Sequence, residues 1–289
     1  MEVARRLTEA GDGRPIEILC VDSMQVYRGM DVGTAKPTAA DRAAVPHHLL
    51  DLVGPGEDFT VTRYQAAAAD ALAAIEARGA RALLVGGTGL YFRAIVDRLT
   101  PPGQFPAVRA QLEAEPDTAL LYRRLSAVDP LAASRIIASN RRRVIRALEV
   151  SVGSGHPFST FGPGMATFAP TTFRIAGAWL PRAVVGRRIE ARFRAMLTAG
   201  LVAEVAALAA QPGGLSRTAR QALGYREVLT CLEDGVPLEA AAAEALRRTK
   251  AFARRQRVWW RRDPRIAWFG AAENPLDVVP ALLGDWRRP

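Results

Sequence analysis

The sequence predicts an α/β fold in which a parallel sheet is flanked by helices, and two observations support this class. Short runs of strand-forming residues lie at 16–21 and 82–85, and each is followed by polar or glycine-rich residues and then by a helix candidate. Between them, the alanine-rich segment 62–78 favours a helix that ends at Gly79. Strand, helix, strand and helix in this order are typical of a parallel sheet.

A change in the sequence pattern near residue 100 predicts a second domain. Prolines interrupt the pattern there, and helical segments follow up to about residue 170. We therefore expect an α/β core formed by residues 1–99 and 171–289, and a helical insertion at 100–170. The other expected elements are a helix at 1–11, insertion helices at 109–125 and 132–152, a loop at 153–170, a strand at 173–180 where the sheet resumes, long helices at 184–208 and 238–262, and a last edge strand at 266–269.

Composition argues against several classes of protein. The 289 residues contain no long uncharged apolar stretch and no basic-then-apolar start, so we expect a cytoplasmic protein without a membrane partner. Cys20 and Cys231 are far apart in the chain, and the histidines at 47, 48 and 156 lack metal-site spacing. A disulfide scaffold and a Cys/His zinc site are therefore not expected.

The formal net charge of +10 favours an anionic partner. Lysine occurs only at Lys36 and Lys250, so 39 − 2 leaves 37 arginines, a pattern typical of a GC-rich genome. Codon bias explains arginine in place of lysine but not the surplus over 29 acids, which indicates nucleic acid or a polyphosphate. The charge is clustered, because residues 246–262 carry eight cations and no acid, and residues 141–146 form a second group. A solvated helix face is the alternative for both clusters.

Polar residues follow both early strands. Asp22 ends the first strand, at the edge where open α/β sheets bind ligands, although it can also cap a following helix. The run 29–37 has two glycines and Lys36, which predicts a shaped loop with a cation. After the second strand, the turn 86–89 (GGTG) lets backbone amides approach a ligand and offers the Thr88 hydroxyl, and a tight strand-to-helix turn is an equally good explanation.

Two further groups carry weaker signals. Arg188 and Arg192 are four residues apart on one predicted helix face, so they can clamp a diphosphate, or simply pair with Glu190 and neighbouring acids. The turn 221–227 combines an aromatic residue with a cation. Neither group alone identifies a function.

Seven segments occur in one order along the chain. They are DSMQVYRGMDVGTAKP at 22–37, VPHHLLD at 45–51, LLVGGTGLY at 83–91, RRVIRALEV at 142–150, RIEARFRAML…GL at 188–201, QALGYRE at 221–227 and RRQRVWWRR at 254–262. Together they resemble the tRNA dimethylallyltransferase (IPP transferase) family, from the first residues to about Arg262. The resemblance implies a P-loop NTPase-like parallel sheet with a helical insertion, and transfer of a dimethylallyl group from dimethylallyl diphosphate to N6 of adenosine 37 in tRNA, with release of diphosphate.

The resemblance implies roles for individual residues. Asp22 matches the carboxylate that holds and deprotonates N6, and Thr88 matches the hydroxyl that supports the reacting centre. Arg192, with Arg188, matches the arginine side of the diphosphate site, Lys36 is a further diphosphate candidate, and Mg²⁺ is expected on the diphosphate. Ser23, Met24 and Gln25 match positions beside a flipped base. Contacts to the tRNA anticodon stem-loop, made by a monomer, are expected from Arg109, Arg142, Arg143, Val144, Ile145, Arg146, Gln221, Gly224, Tyr225, Arg226, Arg254, Arg255, Gln256, Trp259 and Arg261.

One feature departs from the family pattern. The family begins with a strand and a phosphate-binding P-loop of the form GPTxSGK[ST], and these 289 residues contain no such motif. That strand is central in such a sheet, so we expect a gap between inner strands and hypothesise a further N-terminal segment in the native product, which the upstream nucleotides test. A tRNA-binding protein with impaired catalysis and an adenylate isopentenyltransferase are the alternatives.

Overall fold

The computed structural model describes residues 1–10, 13–162 and 164–286, and its chain divides into two units. One unit combines Met1–Val96 with Pro170–Pro289, and the other is Asp97–Ala169. The sequence placed these divisions at residues 100 and 170. The described residues include no helix long and apolar enough to cross a membrane.

A three-stranded parallel sheet lies at the centre of the first unit. Its strands are β1 (Ile16–Val21), β2 (His47–His48) and β3 (Arg81–Gly86), in the order β2-β1-β3. The sequence predicts a parallel sheet with β1 and β3 but misses β2. All six residues of β1 are buried, and Val21 at its end pairs with Gly86 of β3. The carboxyl ends of β1 and β3 therefore lie side by side. The helices of this region are α1 (Glu2–Ala10), α2 (Ala39–Ala44), α3 (Val61–Ala77) and α4 (Gly89–Val96).

The described residues of the second unit form four α-helices, where the sequence indicated two. Pro116 interrupts the first expected helix, because proline cannot continue an α-helix beyond its first turn. The second expected helix is divided between Arg135 and Arg141. Asp117, Asp129 and Asn140 accept backbone N–H bonds at three of the new helix starts. The helices are α5 (Pro106–Ala114), α6 (Thr118–Val128), α7 (Pro130–Arg135) and α8 (Arg141–Ser154).

The prediction that one sheet resumes after the insertion is wrong. The strands β4 (Ile175–Trp179) and β5 (Ile266–Gly270) pair in parallel with each other, and no described strand joins them to the first sheet. A cavity of about 780 Å³ is lined by Leu84 and Gly86 of β3 and by all of β4.

The C-terminal helices of the first unit follow the predicted segments with one interruption. The expected helix at 184–208 is divided because Gly200 adopts a left-handed conformation with φ of 97°. Fully buried Tyr27, Tyr64 and Tyr225 belong to the main apolar core of this unit. The helices are α9 (Arg182–Thr198), α10 (Leu201–Ala209), α11 (Tyr225–Asp234), α12 (Leu238–Trp260) and α13 (Val279–Trp286).

Candidate functional site

Asp22 lies directly after β1 in a partly buried turn. Its Oδ1 accepts the Met24 N–H at 2.8 Å, and no helix begins until Ala39, so Asp22 does not cap a helix. Burial raises the pKa of Asp22, and the N–H groups of Met24 and Gln25 and the charge of Arg192 offset only part of that rise. The ionised carboxylate therefore binds a proton more strongly than an ordinary aspartate does. This property suits a proton acceptor.

Thr88 contacts Ser23, the residue that follows Asp22. The Ser23 N–H donates to Thr88 Oγ1 at 3.2 Å, and the Thr88 N–H donates to the Val21 carbonyl at 3.3 Å. These two bonds tie the end of β1 to the start of α4. A carboxylate and a hydroxyl are thereby held at one edge of the sheet, where ligands of α/β folds bind.

The glycines around Thr88 are explained by close packing. A Cβ atom on Gly86 would overlap the backbone of Val21, and one on Gly87 or Gly89 would overlap the side chains of Gln256 or Trp259. The Gln256 Nε2 also donates to the Gly87 carbonyl at 3.0 Å. Helix α12 therefore packs directly on this turn, and these two α12 side chains help to shape the site.

Lys36 does not supply a free cation, contrary to its predicted role at the diphosphate. Its side chain is 1% exposed, and Nζ donates to the Tyr27 carbonyl at 2.7 Å, to Asp31 at 2.6 Å and to Asp51 at 2.7 Å. An ammonium group has three N–H donors, so all of them are used inside the protein. Burial alone would raise the pKa of Asp51, but hydrogen bonds from Lys36 and Arg42 outweigh that effect and lower it.

Gln25, predicted to lie beside the target base, has a defined orientation. Its Nε2 donates to the carbonyls of Thr34 at 3.0 Å and Ala35 at 3.4 Å. Only an NH₂ group can donate to two carbonyls, so chemistry decides which end of the amide is which. Within the described residues, Oε1 has no hydrogen-bond donor, which leaves it available to a ligand. Ser23 and Met24 are partly buried on the same turn.

The two predicted diphosphate arginines lie on α9. Arg188 and Arg192 are exposed, and neither forms a hydrogen bond or an ion pair with another described residue. Arg192 is close enough to Asp22 to affect its pKa, whereas neither arginine lines the cavity between β3 and β4. The cations that line it are Arg182, Arg187, Lys250, Arg254 and Arg257. Of these, the sequence analysis named only Arg254 as a site residue, as a tRNA contact, and missed the other four.

Arg257 lies in a part of this cavity where cations outnumber acids. Its guanidinium lies 3.5 Å from the centroid of the Trp179 ring. Burial lowers the pKa of Arg257, and the positive charges of Arg182 and Arg261 lower it further. The cavity also has apolar walls from Phe92 and Trp260. Its lining therefore favours a ligand with an anionic end and an apolar end.

The insertion presents only some of its predicted RNA-binding residues. Val144 and Ile145 are buried in the core of this unit, so the prediction that they contact tRNA is wrong. Arg109 and Arg146 are partly buried and pair with the buried Glu149 at 3.2 and 2.9 Å. The exposed residues of the group are Arg142 and Arg143, whose side chains have no hydrogen-bond or ion-pair partner in the described part of the chain.

The 221–227 turn also divides into exposed and buried residues. Gln221 and Arg226 are exposed, with 3.5 Å between Arg226 Nη1 and Gln221 Oε1. Gly224 and Tyr225 are buried, and the Tyr225 hydroxyl donates to Glu204, so these two residues support the fold rather than contact RNA. The predicted contacts on α12 and just after it that are exposed are Arg254, Arg255 and Arg261.

A metal site made by protein side chains alone is not present in the described part of the chain. No group of three histidine, cysteine, aspartate or glutamate side chains is close enough to hold an ion there. The candidate site offers one carboxylate, Asp22, and the Thr88 hydroxyl.

Comparison with known proteins gives one consistent result. A family model described as IPP transferase matches residues 25–263. A protein of Kineococcus radiotolerans named tRNA dimethylallyltransferase is 47% identical, over 96% of this chain and 88% of its own length. The crystal structure of the tRNA isopentenylpyrophosphate transferase of Bacillus halodurans superposes with a TM-score of 0.68 at 33% identity, covering 98% of this chain and 90% of that one. A eukaryotic dimethylallyltransferase acting on tRNA superposes with a TM-score of 0.76 at 22% identity, covering 98% of this chain and 74% of that one.

Proposed function

This chain belongs to the IPP transferase family, and on that premise we propose that it transfers a dimethylallyl group from dimethylallyl diphosphate to N6 of adenosine 37 in tRNA. The observation that carries the proposal is the location of Asp22 and Thr88 at the same carboxyl edge of the first sheet, where Thr88 accepts the N–H of Ser23, and where Gly86 and Gly87 line the cavity that contains the cations. A proton acceptor and an anion-binding pocket are the two components that such a transfer needs.

Asp22 is proposed as the base. The lone pair of an exocyclic adenine nitrogen is delocalised into the ring, so N6 becomes a useful nucleophile only as its proton is removed. The bond from N6 to the allylic carbon forms as the carbon–oxygen bond breaks, the N6 proton passes to Asp22, and diphosphate leaves with the electron pair. The raised pKa of Asp22 makes its carboxylate a better acceptor for that proton.

The cavity between β3 and β4 is proposed to receive the donor. Its apolar walls suit a five-carbon chain, and Arg182, Arg254 and Arg257 supply positive charge for the leaving diphosphate. Arg192, on the exposed face of α9 near Asp22, is a further candidate for that charge. Mg²⁺ stays a prediction, and with no carboxylate cluster in the described residues the ion would be held chiefly by the diphosphate oxygens. No step is assigned to it.

RNA binding is proposed to use the exposed arginines of each unit. Arg142 and Arg143 in the insertion, and Arg254 and Arg255 on α12, have exposed side chains. Contacts from arginine to phosphate give affinity that falls with salt, whereas the splayed loop bases give specificity. A cytoplasmic monomer remains our expectation.

The proposal is tested by incubating the chain with labelled dimethylallyl diphosphate and a tRNA anticodon stem-loop. We expect label in the stem-loop containing adenosine 37, and none in a stem-loop with guanosine there. AMP is offered as the acceptor in a parallel reaction, and label in AMP instead of the stem-loop would indicate an adenylate isopentenyltransferase. Binding of the stem-loop without any transfer would indicate an RNA-binding protein and contradict the proposed activity.

The exposed arginines are tested by salt dependence. Changing Arg142 and Arg143 to Ala should reduce the slope of log Kd against log salt for the stem-loop by about 1 for each phosphate that an arginine no longer neutralises. The matched control is Arg123→Ala together with Arg124→Ala on α6, where Arg123 lies 3.8 Å from Asp117. Equal slopes in the parent and the Arg142/Arg143 variant would remove the insertion arginines from the RNA interface.

A further inference from the structure

We infer that Glu204 is a positioning residue for the target base: it holds the loop 30–36, and through that loop it orients the Gln25 carboxamide, on the turn that begins at Asp22. The inference rests on the proposed function, because it concerns the pocket in which the base would lie. Glu204 itself lies on α10, outside the segments that the sequence analysis assigned to the site.

Glu204 collects an unusual number of backbone donors. Its carboxylate accepts the N–H groups of Asp31 at 3.0 Å, Val32 at 2.7 Å and Gly33 at 3.2 Å. The hydroxyl of buried Tyr225 donates to the same carboxylate. Four donors thus converge on two oxygens from a residue more than 170 positions away in sequence from the three N–H groups. Hydrogen bonds to a charged acceptor are about twice as strong as neutral ones.

The loop also rests on the ring of Tyr225. A Cβ on Gly33 would overlap that ring and the side chain of Leu201, so the backbone approaches them as closely as glycine permits. At its far end, Lys36 is held by three internal acceptors. One of those acceptors is Asp31, so Lys36 ties the far end of the loop to its near end. Glu204 is the side chain that holds the backbone N–H groups of residues 31–33.

Gln25 depends on this loop through its side chain alone. Its backbone is held separately, because its carbonyl accepts the Asp51 N–H at 3.2 Å. Among the described residues, the hydrogen-bond partners of its carboxamide are the carbonyls of Thr34 and Ala35, which belong to the loop that Glu204 and Lys36 hold. If the near half of the loop moves, those carbonyls move, and the Gln25 amide loses its fixed orientation while its backbone stays in place.

The orientation matters for a base that carries an amino group. With Nε2 turned to the loop, Gln25 presents Oε1, an acceptor that suits the N6 amino group of adenine. A carboxamide free to rotate would present its NH₂ group to the base for part of the time. That NH₂ group and the N6 amino group are both hydrogen-bond donors, so they cannot pair with each other. The pocket would still accept a purine, but it would no longer favour the amino group or hold N6 still beside Asp22.

The test compares the parent with Glu204→Gln, a substitution of equal size that removes the charge and one acceptor oxygen. The matched control is Asp70→Asn on α3, an exposed carboxylate with no hydrogen-bond or ion-pair partner in the described residues. Three properties are measured in all chains: amide hydrogen exchange at residues 31–33, the NMR signals of the Gln25 carboxamide, and the ratio of Kd values for stem-loops with purine riboside or adenosine at the target position. Where transfer occurs, kcat and KM are measured too.

For Glu204→Gln we expect exchange at residues 31–33 to be about tenfold faster, the Gln25 signals to broaden or shift, and the preference for adenosine over purine riboside to fall by about threefold. Turnover should drop by about tenfold while KM for RNA stays within about twofold, because phosphate contacts dominate affinity. The Asp70→Asn chain should match the parent. Should Glu204→Gln fail to fold, Tyr225→Phe keeps the ring beneath Gly33 and should give the same changes at smaller amplitude.

Parent-like exchange and parent-like Gln25 signals in the variant would overturn the inference, as would faster exchange with unchanged base preference and unchanged kcat. An inactive parent chain would count against the proposed function only, because the exchange, NMR and binding ratios still decide the role of Glu204. A uniform fall in melting temperature with unchanged ratios would identify Glu204 as structural and refute its positioning role.

Discussion

The turns after β1 and after β3 lie side by side but are built in opposite ways. The turn after β1 is made by side chains: Asp22 accepts a backbone N–H, and the Gln25 amide donates to two loop carbonyls. The turn after β3 depends on glycines, which have no side chain. They lie so close to Val21, Gln256 and Trp259 that an added Cβ would overlap these residues.

This difference predicts how each turn tolerates change. A polar side chain on the first turn contributes chemistry to the site, and its removal leaves the backbone path available. A methyl group added to the second turn has to displace backbone or a packed side chain, so the fold itself is affected. Thr88 connects the two turns, since its hydroxyl accepts the Ser23 N–H. Substitutions at these positions therefore separate catalysis from stability.

The largest effect is expected at Asp22. Asp22→Ala should lower the rate of prenyl transfer by about 10²–10⁴-fold, the range that a general base contributes. Binding of the stem-loop, measured by fluorescence anisotropy, should be nearly unchanged, because exposed arginines elsewhere supply the affinity. Asp70→Asn serves as the control for loss of a carboxylate. Normal turnover in the Asp22→Ala chain would remove Asp22 from the role of base.

Gly86→Ala should act on stability instead. Its added Cβ would overlap the Val21 backbone, so we expect the free energy of unfolding in urea to fall by about 1–3 kcal/mol or more. Gly284→Ala, in α13, is the matched control, because a Cβ there has nothing within 4 Å and alanine favours a helix. Equal stability of the two variants would show that the second turn can open to accept a side chain.

These two turns also show how much of the site can be predicted from the sequence. Asp22 was predictable, because a strand ending in a polar cluster is a local pattern and the edge of a parallel sheet is a general place for ligands. The meaning of the glycines stayed open, since the residues that crowd them, Gln256 and Trp259, lie about 170 positions further along the chain. The local part of the site was therefore predictable, and its non-local packing was not.

The same distinction explains the errors. A lysine in a glycine-rich loop suggested a cation for the ligand, but Lys36 is neutralised by Asp31 and Asp51, and nothing local shows that they meet. Four of the five described strands were located from the sequence and β2 was missed, whereas the pairing of β4 with β5 alone depends on contacts over about 90 residues. Glu204 carried no signal, because a lone glutamate in a helix resembles any solvated acid.

Thr88 tests the connection between the turns, with a moderate effect expected. Thr88→Val keeps the shape but removes the acceptor of the Ser23 N–H, so transfer should fall by about tenfold. Thr88→Ser restores the oxygen and should stay within about threefold of the parent. If valine and serine behave alike in a single-turnover assay, the hydroxyl does not support the reacting centre and the two turns act independently.

The smallest expected effect is on the stability of the fold, and it comes from two aspartates, Asp22 and Asp51. Burial raises the pKa of Asp22, so its charge opposes folding at neutral pH, and Asp22→Asn should raise the melting temperature at pH 7 while abolishing transfer. This gain should disappear once the pH is below the ordinary aspartate pKa of about 3.9. Asp51 has the opposite sign, since Lys36 and Arg42 lower its pKa and its charge favours folding.

Asp51→Asn should therefore lower the melting temperature at pH 7, and that loss should shrink as the pH falls through the lowered pKa of Asp51. The transfer rate of the parent should decline on acidification with a midpoint above the ordinary aspartate value, because the base must be ionised. Melting curves of the parent and both variants between pH 3 and pH 8 measure these effects. If the melting temperatures of the two variants shift in the same direction at pH 7, the charge of Asp22 does not destabilise the fold. The contrast between the catalytic and the supporting carboxylate would then fail.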